Sequence, residues 1–280
     1  MVKIVTDTTA GLPAGVARRY GIPVLPQIII FGRETYREGI DMDNAAFMRK
    51  LVASRGLPKT SAPPPEMFVE EFRRLVPAGE AILCIHPSTE LSGTVRSATV
   101  AAQEFPGADI RVIDTRTVAS PLATMVRLAA EWAAAGEDAD TIEARLRDLI
   151  PRSRIYFLVA TLEYLARGGR IGGASALLGS VLQIKPILTL HDGRVDQYAR
   201  VRTHKRALAF LKGQALEQYP RQGRGYLAVV HAGVPDQAQA LADDLGARLG
   251  LSEVGILDVP PAIVTHAGPG ILGVSFFVSG

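Results

Sequence analysis

The chain has 280 residues, of which 48% are hydrophobic and 21% charged, a composition that excludes an intrinsically disordered protein. Its 31 basic and 28 acidic residues give a formal net charge of only +3. No block of basic residues stands out, which argues against a nucleic-acid-binding protein. The length is enough for one large domain or two smaller ones.

The single cysteine, Cys84, rules out an internal disulfide and favours a reducing compartment. It lies in the apolar run AILCI, which predicts a small buried apolar group. The sequence contains no apolar run of about 18 residues, the length that would predict a membrane-spanning helix. The stretch MVKIVTDTTAG is too poor in apolar residues for a signal peptide. We therefore expect a cytoplasmic protein.

The first half of the chain alternates strands with helices. Strands are predicted at KIVTDT, AILCIHP and DIRVIDT, and an extended segment at IPVLPQIIIFG. Helices are predicted at LPAGVARRYG, MDNAAFMRKLVAS, PEMFVEEFRRLV, TVRSATVAAQEF and LATMVRLAAEWAAAG. Apolar strands separated by helices imply right-handed crossovers and a parallel sheet.

The pattern changes after about residue 136, where the chain becomes more charged. Strands are then predicted at IYFLVAT, YLAVVHAG, VGILDV and LGVSFFVSG. Helices are predicted at LEYLARGGRIGGASALLGSVLQI, with a glycine break, RTHKRALAFLKGQALEQY and PDQAQALADDLGARLG. Asp192-Gly193 separates two extended runs, which is a strong hairpin signal. The second half therefore predicts a mixed sheet with helices.

Three hydroxyl-rich stretches lie where strands end or helices begin. They are TDTT after the first strand, HPSTELSGT after AILCI, and KTSAPPP before a helix. Ligands of parallel sheets bind beyond the carboxyl ends of the strands, where these hydroxyls would gather. Helix N-termini add unpaired N–H groups and a partial positive charge. Together they predict an anion site, most clearly at Ser92-Gly93-Thr94, because glycine lets a ligand approach the backbone.

The same hydroxyls have a simpler interpretation as helix caps. The sequence contains no P-loop, no dinucleotide-binding glycine fingerprint and no GxSxG nucleophile elbow. The five histidines are scattered without metal-ligand spacing. A Ser/His/Asp triad can be assembled on paper from Ser92, His266 and Asp7, but nothing in the sequence requires it.

Two glycine-rich stretches stand out in the second half. RGGRIGG holds Arg167 and Arg170, and THAGPG places His266 between a strand and a turn. Their simple interpretations are a helix break with solvated arginines and a tight turn. As a pair, they could bring a cation and an imidazole to the same anion.

Five stretches of the chain point to one known family. In order they are IVTDTTAGLP, KTSAPPP, ELSGTVRSA, LEYLARGGRIGGASALLGSVLQIKPILTLHDGRV and THAGPGILGVSFF. Together they resemble the DegV family of fatty-acid-binding proteins. They follow the family's order and span nearly the whole chain. The stretch from Leu162 to Val195 is the most specific of them.

The resemblance implies an α/β protein of two domains. Residues 1–152 would form a three-layer α/β/α domain with a parallel sheet and the carboxylate site. Residues 153–280 would form a two-layer α/β domain with a mixed sheet that covers the acyl chain. The boundary need not be continuous along the chain, and a fatty acid would lie between the domains.

The resemblance further implies a bacterial lipid-binding subunit without catalytic residues, metal or cofactor. Its ligand would be a long-chain fatty acid such as palmitate, stearate or oleate. The expected carboxylate ligands are Thr60, Ser61, Ser92, Gly93, Thr94 and His266. Arg170 would face the reacting carboxylate or the partner, the catalytic subunit of a fatty acid kinase, which phosphorylates the carboxylate to an acyl phosphate.

The chain departs from the family pattern in places, with Thr8 where Ser is frequent and Ala62 where Gln is frequent. These departures leave the carboxylate site intact and the chain-length preference and kinase pairing open. Two other functions stay open at this point, an acyl hydrolase and a phosphotransferase acting itself on a small anionic substrate. A DNA-binding regulator conflicts with the modest charge.

Overall fold

The structure is a computed structural model that describes residues 2–54, 56–177 and 184–280. It divides into two compact units. The first comprises the residues up to Pro151 together with Pro260–Ala262. The second comprises Arg152–Val259 and Ile263–Gly280.

The first unit contains seven described strands and six described α-helices. The strands are β1 (Lys3–Asp7), β2 (Val24–Leu25), β3 (Ile28–Phe31), β4 (Glu34–Arg37), β5 (Lys59–Ser61), β6 (Ile82–His86) and β7 (Ile110–Asp114). The helices are α1 (Ala14–Tyr20), α2 (Asn44–Ala53), α3 (Pro65–Leu75), α4 (Thr94–Ala102), α5 (Ser120–Ala134) and α6 (Ala139–Leu149). Short 3-10 turns occupy Thr8–Ala10, Val76–Ala78 and Ile150–Arg152.

Four of these strands form the predicted parallel sheet, in the order β2-β1-β6-β7. The other three form a small antiparallel sheet in the order β4-β3-β5. The extended segment predicted around IPVLPQIIIFG is confirmed by β2 and β3. The second sheet was not predicted, because β4 and β5 are short and largely polar.

Helices cover both faces of the parallel sheet. On one face, Phe68 and Phe72 of α3 and Ala98 of α4 pack in one apolar cluster with Val5 and Cys84 of the sheet. Alternate strand residues point to the opposite face, where α5 and α6 contact β1 and β6. Each fully buried phenylalanine contributes about 2 kcal/mol of transfer free energy. Cys84 is fully buried, as predicted, and burial raises the pKa of its thiol.

The second unit contains six described strands, β8 (Ser153–Leu158), β9 (Lys185–His191), β10 (Arg194–Val201), β11 (Ala228–His231), β12 (Gly255–Asp258) and β13 (Leu272–Phe277). Its helices are α7 (Glu163–Arg167), α8 (His204–Gln218), α9 (Pro235–Leu249) and α10 (Pro261–Ala267), whose first two residues group with the first unit. A 3-10 helix occupies Gly172–Leu177.

The six strands form a mixed sheet in the order β10-β9-β8-β13-β11-β12. Of its described pairs, only β11 with β12 is parallel. Apolar residues of α8 and α9 pack in one cluster with Tyr156, Val229 and Phe276 of the sheet. The predicted hairpin is confirmed between β9 and β10, with Asp192 and Gly193 both at positive φ.

Two predictions for the second unit need correction. Within the described residues, the stretch from Leu162 to Ile184 that was predicted to be helical with a glycine break forms only the short helix α7 and a separate 3-10 helix, and residues 178–183 lie outside the described residues. The placement of His266 between a strand and a turn is wrong, because His266 lies on α10. Pro261, which suits a first helical turn, begins this helix in a stretch that reads as a loop because of its two prolines.

Within the described part of the chain, no helix combines the length and the apolar character that a bilayer crossing requires.

Candidate functional site

The carboxyl end of the parallel sheet carries a buried acid–imidazole pair. Asp7 ends β1 and His86 ends the adjacent β6, and neither side chain is exposed. Asp7 Oδ2 lies 2.8 Å from His86 Nδ1. Asp7 Oδ1 accepts from the backbone N–H of Thr9 at 2.9 Å, from the Thr9 hydroxyl at 2.6 Å and from Gln27 Nε2 at 3.0 Å. The Asp7 side chain is therefore surrounded by donors.

The other side of His86 is apolar. Its ring meets Phe68 edge-on with ring centroids 5.3 Å apart. With Asp7 as acceptor, Nδ1 is the protonated nitrogen. Nε2 is buried and has no hydrogen-bond partner among the described residues. No hydroxyl nucleophile is therefore paired with this imidazole in the described structure.

Gln27 joins this pair to the predicted anion site. Its Nε2 donates to Asp7 and also to Thr94 Oγ1 at 2.9 Å. Thr94 Oγ1 lies 2.8 Å from Ser92 Oγ. Gln27 and Thr94 are 2% and 0% exposed, so water cannot replace these bonds without rearrangement. The series Asp7–Gln27–Thr94–Ser92 thus runs from the buried sheet end to the start of α4.

Ser92 is only a weak helix cap. The N-cap residue of α4 is Gly93, which makes no side-chain cap bond, and the Thr94 N–H is a long 3.4 Å from Ser92 Oγ. Ser92 is half-buried and Gly93 is exposed. The Gly93 N–H makes no hydrogen bond within the described residues. A hydroxyl and an unused amide therefore lie together at a helix N-terminus, as an anion site requires.

The Thr60–Ser61 stretch lies beside this helix start. Both residues belong to β5, paired with Ile29 and Ile28 of β3. A Cβ placed on Gly93 would lie 3.7 Å from Ala62 Cβ, the residue that follows β5. Ser61 is exposed, and its hydroxyl lies 3.2 Å from the Ala62 carbonyl. Five of the six predicted carboxylate ligands thus come from two neighbouring stretches of one unit.

Glu38 joins the same polar network through Thr8 and the backbone of Gln27. It is 3% exposed, its Oε1 accepts from the Ala262 N–H at 2.9 Å, and its Oε2 accepts from the Thr8 hydroxyl. The Gln27 N–H in turn donates to Thr8 Oγ1 at 3.0 Å. Burial raises the pKa of Glu38 to about 7, although the bonds from Thr8 and Ala262 work in the opposite direction. The charge of Asp7 contributes further to the increase in this pKa.

His266 and Arg170 belong to the second unit. Burial, and next the positive charge of Arg170, lower the pKa of His266 to about 4, although the backbone of Gly168 opposes this shift. His266 is thus a neutral imidazole near pH 7. Arg170 is half-buried and donates from Nη1 to the Gly168 carbonyl at 2.8 Å. The interpretation as a solvated arginine suits only Arg167, which is exposed and pairs with Glu163 at 2.7 Å.

Sequence reasoning missed Gln27, His86 and Glu38 as site residues. Gln27 is a single amide within the apolar segment IPVLPQIIIFG, and His86 directly follows the apolar run AILCI. A polar side chain in an otherwise buried stretch is the signal that could have found both, because such a group needs a partner. Glu38, within REGID, carries no comparable signal.

Comparison with known proteins identifies the family of this chain. A family model described as DegV matches residues 1–279. The chain belongs to the DegV family. A DegV domain-containing protein of Streptomyces coelicolor is 41% identical over 277 residues, which cover 98% of this chain and 97% of that one. The predicted family is therefore confirmed.

Solved DegV structures share the whole fold. A fatty-acid-binding DegV family protein from Thermus thermophilus is 34% identical, with a TM-score of 0.90 over 99% of each chain. One from Streptococcus agalactiae is 29% identical, with a TM-score of 0.91 over 100% of this chain and 99% of that chain. DegV from Bacillus subtilis, described as a fatty acid binding protein, is 30% identical, with a TM-score of 0.88 over 99% of each chain. These matches confirm the predicted α/β fold.

The hydrogen bonds of the structure give no support to a Ser/His/Asp triad of Ser92, His266 and Asp7. Asp7 pairs with His86, and Ser92 pairs with Thr94. Within the described residues, no group of three or more His, Cys, Asp or Glu side chains could hold a metal ion. The arrangement in the first unit is best suited to receiving an anion through hydroxyl and amide donors.

The raised pKa of Glu38 predicts a pH-dependent stability. The folded-state value of about 7 exceeds the ordinary 4.5, so the folded protein binds more protons than the unfolded chain between these values. Stability is therefore expected to fall as pH rises from 4.5 to 7, by about 3 kcal/mol from this group. Glu38→Gln, which stays neutral, should remove that part of the decline in urea unfolding measured across the interval.

The matched control is Glu70→Gln, which neutralises an exposed glutamate of the same unit. It should follow the wild-type pH profile. If Glu38→Gln also follows the wild-type profile, the raised pKa is wrong.

Proposed function

We propose that this DegV protein binds a long-chain fatty acid and holds its carboxylate at the start of α4. The observation that carries the proposal is that the Ser92 hydroxyl and the unused Gly93 N–H lie next to each other at the helix start, beside the Thr60–Ser61 stretch. Similar DegV proteins from Thermus thermophilus and Streptococcus agalactiae are described as fatty acid binding. The proposed carboxylate ligands are Thr60, Ser61, Ser92 and Gly93, with His266 added on the family resemblance. The predicted ligand Thr94 has a buried hydroxyl that bonds to Ser92, so it supports the ligand Ser92 from behind.

The energetics of such a site are favourable. A hydrogen bond to a charged group is worth roughly 1.5–3 kcal/mol, and the helix terminus adds about 0.3–1 kcal/mol. Burying about 14 methylene groups of the tail adds roughly 11 kcal/mol before the costs of association. Those costs are about 4–15 kcal/mol. Micromolar binding needs about 8 kcal/mol net, which this sum supplies when the association costs lie in the lower part of their range.

We further propose that the protein presents the bound acid to a separate kinase subunit. Phosphorylation of a carboxylate requires positive charge around the transferred phosphoryl group. Arg170 suits this role, because a guanidinium is always charged and matches phosphate geometry. In this proposal the chain carries the lipid, and the partner supplies the nucleotide and the chemistry.

The protein is expected to purify with a long-chain fatty acid bound. Organic extraction of the purified protein followed by mass spectrometry identifies the lipid, and calorimetry on delipidated protein measures binding of C14–C18 acids. Delipidated protein without saturable binding would contradict the proposal. Turnover of acyl esters or ATP by the chain alone would instead favour an enzyme.

Ser92→Ala should weaken fatty acid binding by roughly ten- to a hundredfold, since the variant loses a hydrogen bond to a charged group. Binding of the fatty alcohol with the same chain length should barely change, because its head group carries no charge. Calorimetry on both ligands checks the ratio. The control is Thr99→Ala, which removes an exposed hydroxyl of α4 whose only hydrogen bond within the described residues goes to the Val95 carbonyl. If Ser92 were only a cap, the two affinities would change together and the melting temperature of the ligand-free protein would fall.

Arg170→Ala should slow acyl phosphate formation by the kinase partner strongly and change lipid affinity only a few-fold. The reason is that its guanidinium would stabilise charge that develops only during phosphoryl transfer. Arg167→Ala, from the same glycine-rich stretch, is the matched control and should leave both properties unchanged. Collapse of lipid affinity in Arg170→Ala, with normal phosphorylation of the remaining complex, would reassign Arg170 to the lipid pocket.

A further inference from the structure

The hydrogen bonds between Asp7 and Ser92 have a fixed direction. A carboxylate oxygen only accepts, and Asp7 Oδ1 lies 3.0 Å from the terminal amide atom of Gln27. That atom must be nitrogen, because an amide oxygen there would place two acceptors against each other. The same nitrogen lies 2.9 Å from Thr94 Oγ1. Gln27 therefore donates one amide hydrogen to Asp7 and the other to Thr94.

The bond from Gln27 also fixes which of the Thr94 and Ser92 hydroxyls is the donor in the bond between them. Thr94 Oγ1 accepts from Gln27, so its own hydrogen needs an acceptor elsewhere, and Ser92 Oγ lies 2.8 Å away. No other acceptor contacts the Thr94 hydroxyl in the described parts of the chain. Ser92 Oγ then accepts from the Thr94 hydroxyl and, weakly, from the Thr94 N–H at 3.4 Å. The Ser92 proton is left to point away from the network, as a donor.

We propose that Gln27, held by Asp7, is a positioning residue that makes Ser92 an obligate hydrogen-bond donor and thereby selects an anionic head group. This inference rests on the proposed fatty acid site. A carboxylate accepts hydrogen bonds and donates none, so it requires a donating hydroxyl. An alcohol head group donates and accepts, so it pairs with Ser92 in either orientation. The polarity of the buried network thus discriminates between two lipids with the same tail.

Gln27→Glu tests this polarity with almost no change of shape. Whether the new carboxyl is ionised or donates its proton to Asp7, its oxygen facing Thr94 accepts instead of donating. The Thr94 hydroxyl then turns toward residue 27, and the Ser92 hydroxyl turns toward Thr94. Ser92 would present lone pairs to the ligand, which attract an alcohol O–H and repel a carboxylate.

The measurement is the affinity of delipidated protein for a C16 fatty acid and for the matching C16 alcohol by calorimetry. Gln27→Glu should weaken acid binding by roughly ten- to a hundredfold, the factor for a lost hydrogen bond to a charged group. Alcohol binding should stay within a few-fold of wild type. Gln222→Glu, the same substitution at an exposed glutamine, is the control and should change neither affinity.

Gln27→Met covers the case in which Gln27→Glu does not fold, because methionine fills the space without donating or accepting strongly. It releases Thr94 from Gln27 and should lower the acid-to-alcohol affinity ratio by a smaller factor than Gln27→Glu. An unchanged ratio in every Gln27 variant that folds would overturn the inference. Absence of acid binding in the wild-type protein would overturn the proposed function instead.

Discussion

The bonds around Asp7 are the constraint on which the candidate site depends. Its two oxygens accept from Thr9, Gln27 and His86, which lie in three separate stretches of the first unit. A buried acceptor without donors would cost several kcal/mol, so the 3-10 turn after β1, the segment before β3 and the end of β6 must keep their positions. The start of α4 is joined to the same acid through Gln27 and Thr94. Side-chain hydrogen bonds thereby hold the site in place at the end of the parallel sheet.

Burial also determines which groups carry charge. Glu38 and His266 are an acid and a base, and burial favours the neutral form of each, with pKa values near 7 and 4. Burying a charge without full compensation is expensive, so these shifts lower the cost of folding. Arg170 keeps its charge, since a guanidinium does not lose its proton in a protein.

Much of the fold follows from pattern alone, because burial imposes a periodicity on the sequence. AILCI must be a buried strand, and Asp192-Gly193 must turn the chain back, since few other residue pairs accept positive φ at both positions. The small antiparallel sheet escaped prediction because ETYR and KTS are too short and polar to show alternation. The helix that carries His266 escaped because PPAIVTHAG reads as a loop until tertiary packing is known. The hydroxyls were visible as a group, whereas Gln27 and His86 were not, because a single polar residue reveals its partner only when the chain is folded.

The loop that carries Arg170 is constrained by volume. Gly168 has ordinary right-handed backbone angles, φ −76° and ψ −9°, so any residue could adopt its conformation. A Cβ at this position would nevertheless lie 2.5 Å from His266 Nδ1 and 2.9 Å from the Tyr164 carbonyl oxygen. Even one methyl group would push the imidazole out of place and crowd the Tyr164 carbonyl, which accepts from the Gly168 N–H at 2.8 Å. The absence of a side chain at Gly168 thus leaves the space in which the imidazole sits, and no larger residue fits there while His266 keeps its position.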